Sequence, residues 1–199
     1  MPAYDRQLLR AGHRHLCTAF ALYETMIIRI FLLLLLAIFS TEPRAKGMYQ
    51  EPDDFIYEVF AGAPPSPKAL WITKPLRDPI EQIMGHPLDS LRVRYWTREG
   101  KVAWILEEIG KDLPITTGIV VDRGKLKRVK VLIFRESRGW EVRHDFFTNQ
   151  FTDATLTDEH RLDRTIDGIA GATLSVRALT KLAQLALFLS EQVTTDVPP

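Results

Sequence analysis

The chain has 199 residues, 46% hydrophobic and 26% charged, a balance that suits one globular domain large enough to bury a core. Its 26 basic and 25 acidic residues leave a net charge of +1, without the basic excess that a nucleic-acid partner demands. The one cysteine, Cys17, excludes a disulfide framework and a cysteine metal site, and a body without thiols fits an oxidising compartment.

Ile30 to Phe39 is a run of ten apolar residues. A spanning helix needs about 20, and Arg29 and Glu24 interrupt any extension backward. The run has the length of a signal-peptide apolar region behind a basic start, supplied by Arg29 or by Arg6, Arg10 and Arg14. Residues 1–45 therefore read as a leader, with Met26 as an alternative start and cleavage after Ser40 or Ala45. The expected product is periplasmic or otherwise extracytoplasmic, either released or held at the inner membrane by an uncleaved apolar segment. His15-Leu16-Cys17 is not a lipobox.

The globular domain is expected over residues 46–195, with 196–199 as a tail. Residues 41–54 read as a polar linker, and Phe55–Phe60 as a short apolar element of either type. A Gly/Pro loop follows at 61–67, then a short strand at Ala69–Thr73. Pro79 suits the first position of a short helix carrying Ile80, Ile83 and Met84 and stopped by Gly85. Leu91–Trp96 and Lys101–Leu106 alternate around Thr97-Arg98-Glu99-Gly100 and predict a hairpin, with Val102, Trp104 and Leu106 on one face. Ile115–Val121 and Leu126–Phe134 predict a second hairpin around Asp122-Arg123-Gly124-Lys125, with Val129, Val131 and Ile133 facing one way. Arg123, Lys125, Lys127, Arg128 and Lys130 read as a solvated turn and sheet face.

Apolar residues at Leu174, Ala178, Leu179, Leu182, Ala183, Ala186, Leu189 and Val193 have helical spacing and predict a buried stripe on a helix over Leu174–Val193. The fold class is α+β: a mainly antiparallel, twisted sheet with helices packed on it. Just before that helix stands Asp167-Gly168-Ile169-Ala170-Gly171-Ala172-Thr173-Leu174-Ser175. Helix N-termini offer unpaired N–H groups and partial positive charge, which suit phosphate. Gly171 permits close backbone approach and Ala172 adds little bulk. Thr173 or Ser175 is equally suited to be an ordinary N-cap. The stretch is neither a Walker loop nor G-x-G-x-x-G.

Upstream, the second hairpin runs into Arg135-Glu136-Ser137-Arg138-Gly139-Trp140, a charged glycine loop leaving a strand end, where sites tend to lie. His86, His144 and His160 have no metal-ligand spacing, and no G-x-S-x-G elbow occurs, so neither a metal site nor a hydrolase is expected.

The Asp-x-x-x-Gly-Ala-Thr helix start at 167–173 resembles the flavinylation motif of the FMN-binding domain family, which includes the flavin-carrying C subunit of sodium-translocating NADH:quinone reductase and the G subunit of the Rnf complex. Glu136-Ser137-Arg138-Gly139 resembles that family's Glu-Thr-x-Gly loop, and Phe146, Phe147, Gln150 and Phe151 its Gln-Phe helix ending. The resemblance runs from about Pro114 to Leu187. It implies FMN esterified through its phosphate to Thr173 by a dedicated flavin transferase, with Asp167 as the motif's leading acid. It further implies that Gly168, Gly171, Ala172, Leu174 and Ser175 surround the attachment point and that Glu136, Ser137 and Gly139 line the flavin. Trp140 is an aromatic candidate to flank the ring. Ala170 departs from the Ser or Thr usual there. The implied function is an exported electron carrier, not by itself an enzyme, exchanging electrons with membrane or periplasmic redox partners. The alternative is a sensory or binding module of the same fold that takes FMN loosely or not at all.

Overall fold

A computed structural model describes residues 47–195. The expectations for the leader, its alternative start and the 196–199 tail lie outside the described residues.

Five strands form one antiparallel sheet in sequence order: β1 (Lys68–Trp71), β2 (Arg92–Arg98), β3 (Lys101–Ile109), β4 (Pro114–Asp122) and β5 (Lys125–Phe134). Two of its connections are two-residue turns in which both residues have positive φ: Glu99-Gly100 (53° and 82°) and Arg123-Gly124 (51° and 75°). That geometry matches the twist of the flanking strands, which is why a glycine sits second in each.

Helices α1 (Pro52–Val59), α2 (Lys74–Met84), α3 (Asp145–Thr148) and α4 (Thr173–Thr195) complete the domain, with 3₁₀ turns at Trp140–Arg143 and Asn149–Phe151. The sheet is covered on both faces. Val102, Trp104, Leu106, Ile119 and Val121 pack with α2 and with Leu179, Leu182, Ala186 and Leu189 of α4. Trp104 also donates from Nε1 to Ser190 Oγ at 2.8 Å, so its one polar atom is satisfied in the core. On the opposite face Phe55, Ile56 and Phe60 pack on Trp96, Ala103, Val120 and Leu132. Gly118 makes that second layer possible, because a β-carbon there would stand 2.6 Å from the Phe55 ring.

The α+β class, both hairpins and the carboxy-terminal helix agree with expectation; other details do not. The element of uncertain type is α1, and it begins inside the stretch read as a linker. The helix placed at Pro79 starts a turn earlier: Pro75 occupies its first turn, and Pro79 lies inside it at the cost of one backbone hydrogen bond. Gly85, at φ 75°, does end it. Ile133 faces the α1 side rather than sharing a face with Val129 and Val131. The cause is a bulge: Thr117 pairs with Val131 but Thr116 with Ile133, so Leu132 is extra and the alternation slips by one.

Candidate functional site

The loop after β5 is anchored at its root. Glu136 Oε1 accepts hydrogen bonds from the N–H groups of Lys111, Asp112 and Leu113 at 2.6, 2.7 and 2.9 Å, closing the β3–β4 turn onto the loop. Burial pushes this carboxyl up, but the N–H groups of Leu113, Asp112 and Lys111 outweigh it and hold it below the usual range. Beside it, the Arg135 guanidinium donates to the Pro114 carbonyl (3.1 Å) and to Thr116 Oγ1 (3.0 Å). Ser137 is exposed, and with Glu136, Trp140, Tyr49 and Leu113 it lines a cleft of about 520 Å³.

Gly139 joins this loop to the helix start. It has φ +82°, and its α-carbon side lies against Ser175 and Ala172. The two motifs, remote in sequence, therefore touch. Ala172 N–H donates to the Ile169 carbonyl and Val176 N–H to the Ala172 carbonyl, both at 2.9 Å. The second bond is the first of the helical ladder, so Ala172 is the N-cap and Thr173, Leu174 and Ser175 fill the first three helical positions. Neither hydroxyl residue is the cap, and alanine has no side-chain acceptor for the leading N–H groups.

The motif residues divide by exposure. Thr173 is exposed on the surface, whereas Ser175 is only 4% exposed. Leu174 was expected to turn inward but is 41% exposed. Side chains in a helix lean toward its N-terminus, so a residue of the first turn leans past the end of the packed stripe. Ala172 is buried and packs under Gly139. Gly171 is needed for its φ of +81°; the space where its β-carbon would project is open, as it is at Gly168. Asp167 and Ala170 are exposed. The Asp167 N–H donates to Gln150 Oε1 at 2.7 Å, which ties the loop to the 3₁₀ turn ending in the buried Phe151.

Sequence reasoning missed part of this surface. Arg143 lies between two rings, 4.3 Å from the Tyr49 centroid and 5.0 Å from that of Trp140. Trp140 meets His144 edge-on at 5.3 Å, and His144 stacks on Phe146 at 6.1 Å. Trp140 is 43% and Phe146 64% exposed, so this aromatic row is a surface feature, not core. The spacing of Trp140, His144 and Phe146 in the chain gave no periodic signal, and Tyr49 fell in the supposed linker. Among the described residues there is no group of three potential metal ligands and no helix long and apolar enough to cross a membrane.

The α+β domain thus brings together, through Gly139, an open helix N-terminus with an exposed hydroxyl and the loop that borders an aromatic-edged cleft. Residues 110–187 match the family model of the FMN-binding domain, a match that indicates FMN as the cofactor. The matched span opens at the β3–β4 turn, contains both motifs and ends within α4. Neither the curated proteins nor the solved structures gave a match.

Proposed function

We propose that the protein is an exported electron carrier that holds FMN through a phosphoester on Thr173. The observation that carries this reading is the contrast between two neighbouring hydroxyls at one helix start: Thr173 is open to a modifying enzyme, and Ser175 is packed away against Gly139. The ester bond forms between Thr173 Oγ1 and the flavin phosphate. The donor is a dinucleotide form of the flavin held by the transferase: its phosphoanhydride bond breaks, and the nucleoside monophosphate leaves with the bridging oxygen and, in balance, the proton that the hydroxyl gives up. A phosphate held there lies against the first N–H groups of α4, which favour its charge.

FMN supplies electron transfer when bound; the chain's own residues hold and shield it. The Glu136–Ser137 cleft, edged by Trp140, has the volume and the mixed apolar and polar lining of a ligand site. Glu136 contributes through its grip on the β3–β4 turn, which fixes the cleft's wall. Covalent attachment suits an exported protein, for which lost FMN has no replacement. The electron donor and acceptor are membrane or periplasmic redox proteins in this reading.

Co-expression with a flavin transferase should add the mass of FMN less one water. Thr173→Ala should abolish the addition and Ser175→Ala should retain it. Peptide mapping that finds the flavin on Ser175 or on a histidine overturns the assignment. A second reading, a module that takes FMN loosely or not at all, is favoured by the exposed Ala170, where a hydroxyl is missing. Yellow colour that survives denaturation of protein from the native host excludes it.

A further inference from the structure

We propose that the middle of β5 is a docking site for an extended, acidic segment of a partner protein, which adds to the sheet edge as a further strand. β5 is an edge strand, and such strands present unpaired backbone donors and acceptors. Here both ends of the edge are already covered. Leu126 donates its N–H to the Ala154 carbonyl (3.0 Å) and accepts from the Asp153 N–H (2.7 Å). At the other end the Tyr49 N–H donates to the Leu132 carbonyl and the Phe134 N–H to the Gly47 carbonyl, both at 2.8 Å. Between them, from Lys127 to Val131, no backbone bond runs to any described segment other than β4. Five strand residues span about 17 Å, room for a short added strand.

The open edge is the floor of a cleft of about 580 Å³, whose far wall includes Arg143, His144, Asp145 and Thr148. Its charge is mainly positive. Lys127, Arg128, Lys130 and Arg143 line it, against Asp145 in the lining. Asp153 pairs with Lys127, and Glu58 with Arg128 and Lys130. Arg143 makes no ion pair among the described residues, and its Nε is buried without a hydrogen-bond partner. A small anion satisfies Arg143, the lining cation without an ion pair among the described residues, but leaves the strand edge bare. An extended peptide with alternate acidic side chains satisfies both, with backbone bonds giving affinity and charge giving selectivity.

The test uses the full chain and a capped Glu-Val-Glu-Val-Glu peptide, with Lys-Val-Lys-Val-Lys and inorganic phosphate as comparators. The acidic peptide should bind, slow amide hydrogen exchange at 127–131 by about tenfold or more, and bind more weakly as salt rises. Arg143→Glu should weaken binding by roughly tenfold, since a lost contact becomes a like-charge one. If that variant fails to fold, Lys130→Glu serves in its place. Equal binding of the lysine peptide, reproduction of the effect by phosphate alone, binding without protection at 127–131, or no binding at millimolar peptide each overturns the proposal. Thr173→Ala should leave the result unchanged, which separates this site from the flavin reading.

Discussion

A β-carbon on Gly139 would stand 2.9 Å from Ser175 Oγ and 3.3 Å from the Ala172 β-carbon. The two motifs thus meet through a residue that has no side chain, in a backbone conformation that side chains rarely adopt. Gly139→Ala is expected to cost about 2 kcal/mol, from the left-handed φ and from the displacement of α4's first turn. Thermal denaturation should show a drop of several degrees. Flavin attachment, read by intact mass, should fall further than stability alone explains, because Thr173 moves with that turn. A variant with wild-type stability and full modification would remove the contact from the argument.

The Glu136 carboxylate accepts from the three N–H groups of the β3–β4 turn. Glu136→Ala should lose about 1–3 kcal/mol, the range for hydrogen bonds to a charged group in a turn that water partly reaches. Glu136→Gln, which keeps an acceptor, should lose less. The folded carboxyl titrates below its ordinary value of 4.5, so its stabilisation is present above that pH and disappears as pH falls through the folded value. Acid denaturation should therefore be shallower in Glu136→Ala than in the wild type. In the loaded protein the same change should shift the flavin spectrum by loosening the cleft wall.

His86 gives the opposite slope. Its Nδ1 lies 2.9 Å from the Pro87 carbonyl and its Nε2 2.9 Å from the buried Glu108, which also meets Lys181. The Pro87 carbonyl, helped by Glu108, raises the imidazole above its ordinary 6.5 against burial and Lys181. The contribution is thus full below about pH 6.5 and is lost as pH rises through the folded value. Chemical denaturation between pH 5.5 and pH 8.5 should show stability declining, and His86→Gln should flatten that decline. A slope unchanged by the substitution would falsify the assignment.

What the sequence revealed depended on whether the signal was local. The hairpins were legible because Glu99-Gly100 and Arg123-Gly124 carry their turn chemistry within a few residues, and α4 because its stripe repeats over several turns. Helix α1 was not, since Phe55 and Ile56 become a core face only where Gly118, far along the chain, vacates the opposite surface. The Leu132 bulge leaves no mark in composition, so Ile133 was assigned to the wrong face. Both motifs of the site were visible, but their contact through Gly139 was not. The resemblance had already singled out Thr173, and burial adds only that Ser175 is packed away while Thr173 is exposed.

The last prediction separates folding from recognition within the Asp167 loop. The Asp167 backbone is held by Gln150, while its exposed carboxylate makes no hydrogen bond or ion pair with another described residue. Gln150→Ala should therefore cost about 1 kcal/mol and loosen the loop, and Gln150→Glu, which retains an acceptor, should cost less. Asp167→Ala should leave stability within about 0.5 kcal/mol of wild type, as for other exposed positions without structural partners. If the carboxylate is what the transferase reads, that variant should still be modified several-fold more slowly. Time courses of flavin incorporation by mass, alongside denaturation curves for the same three proteins, distinguish the roles. Asp167→Ala that unfolds with Gln150→Ala places the acid in the structure instead, and Asp167→Ala that is modified at the wild-type rate removes it from recognition.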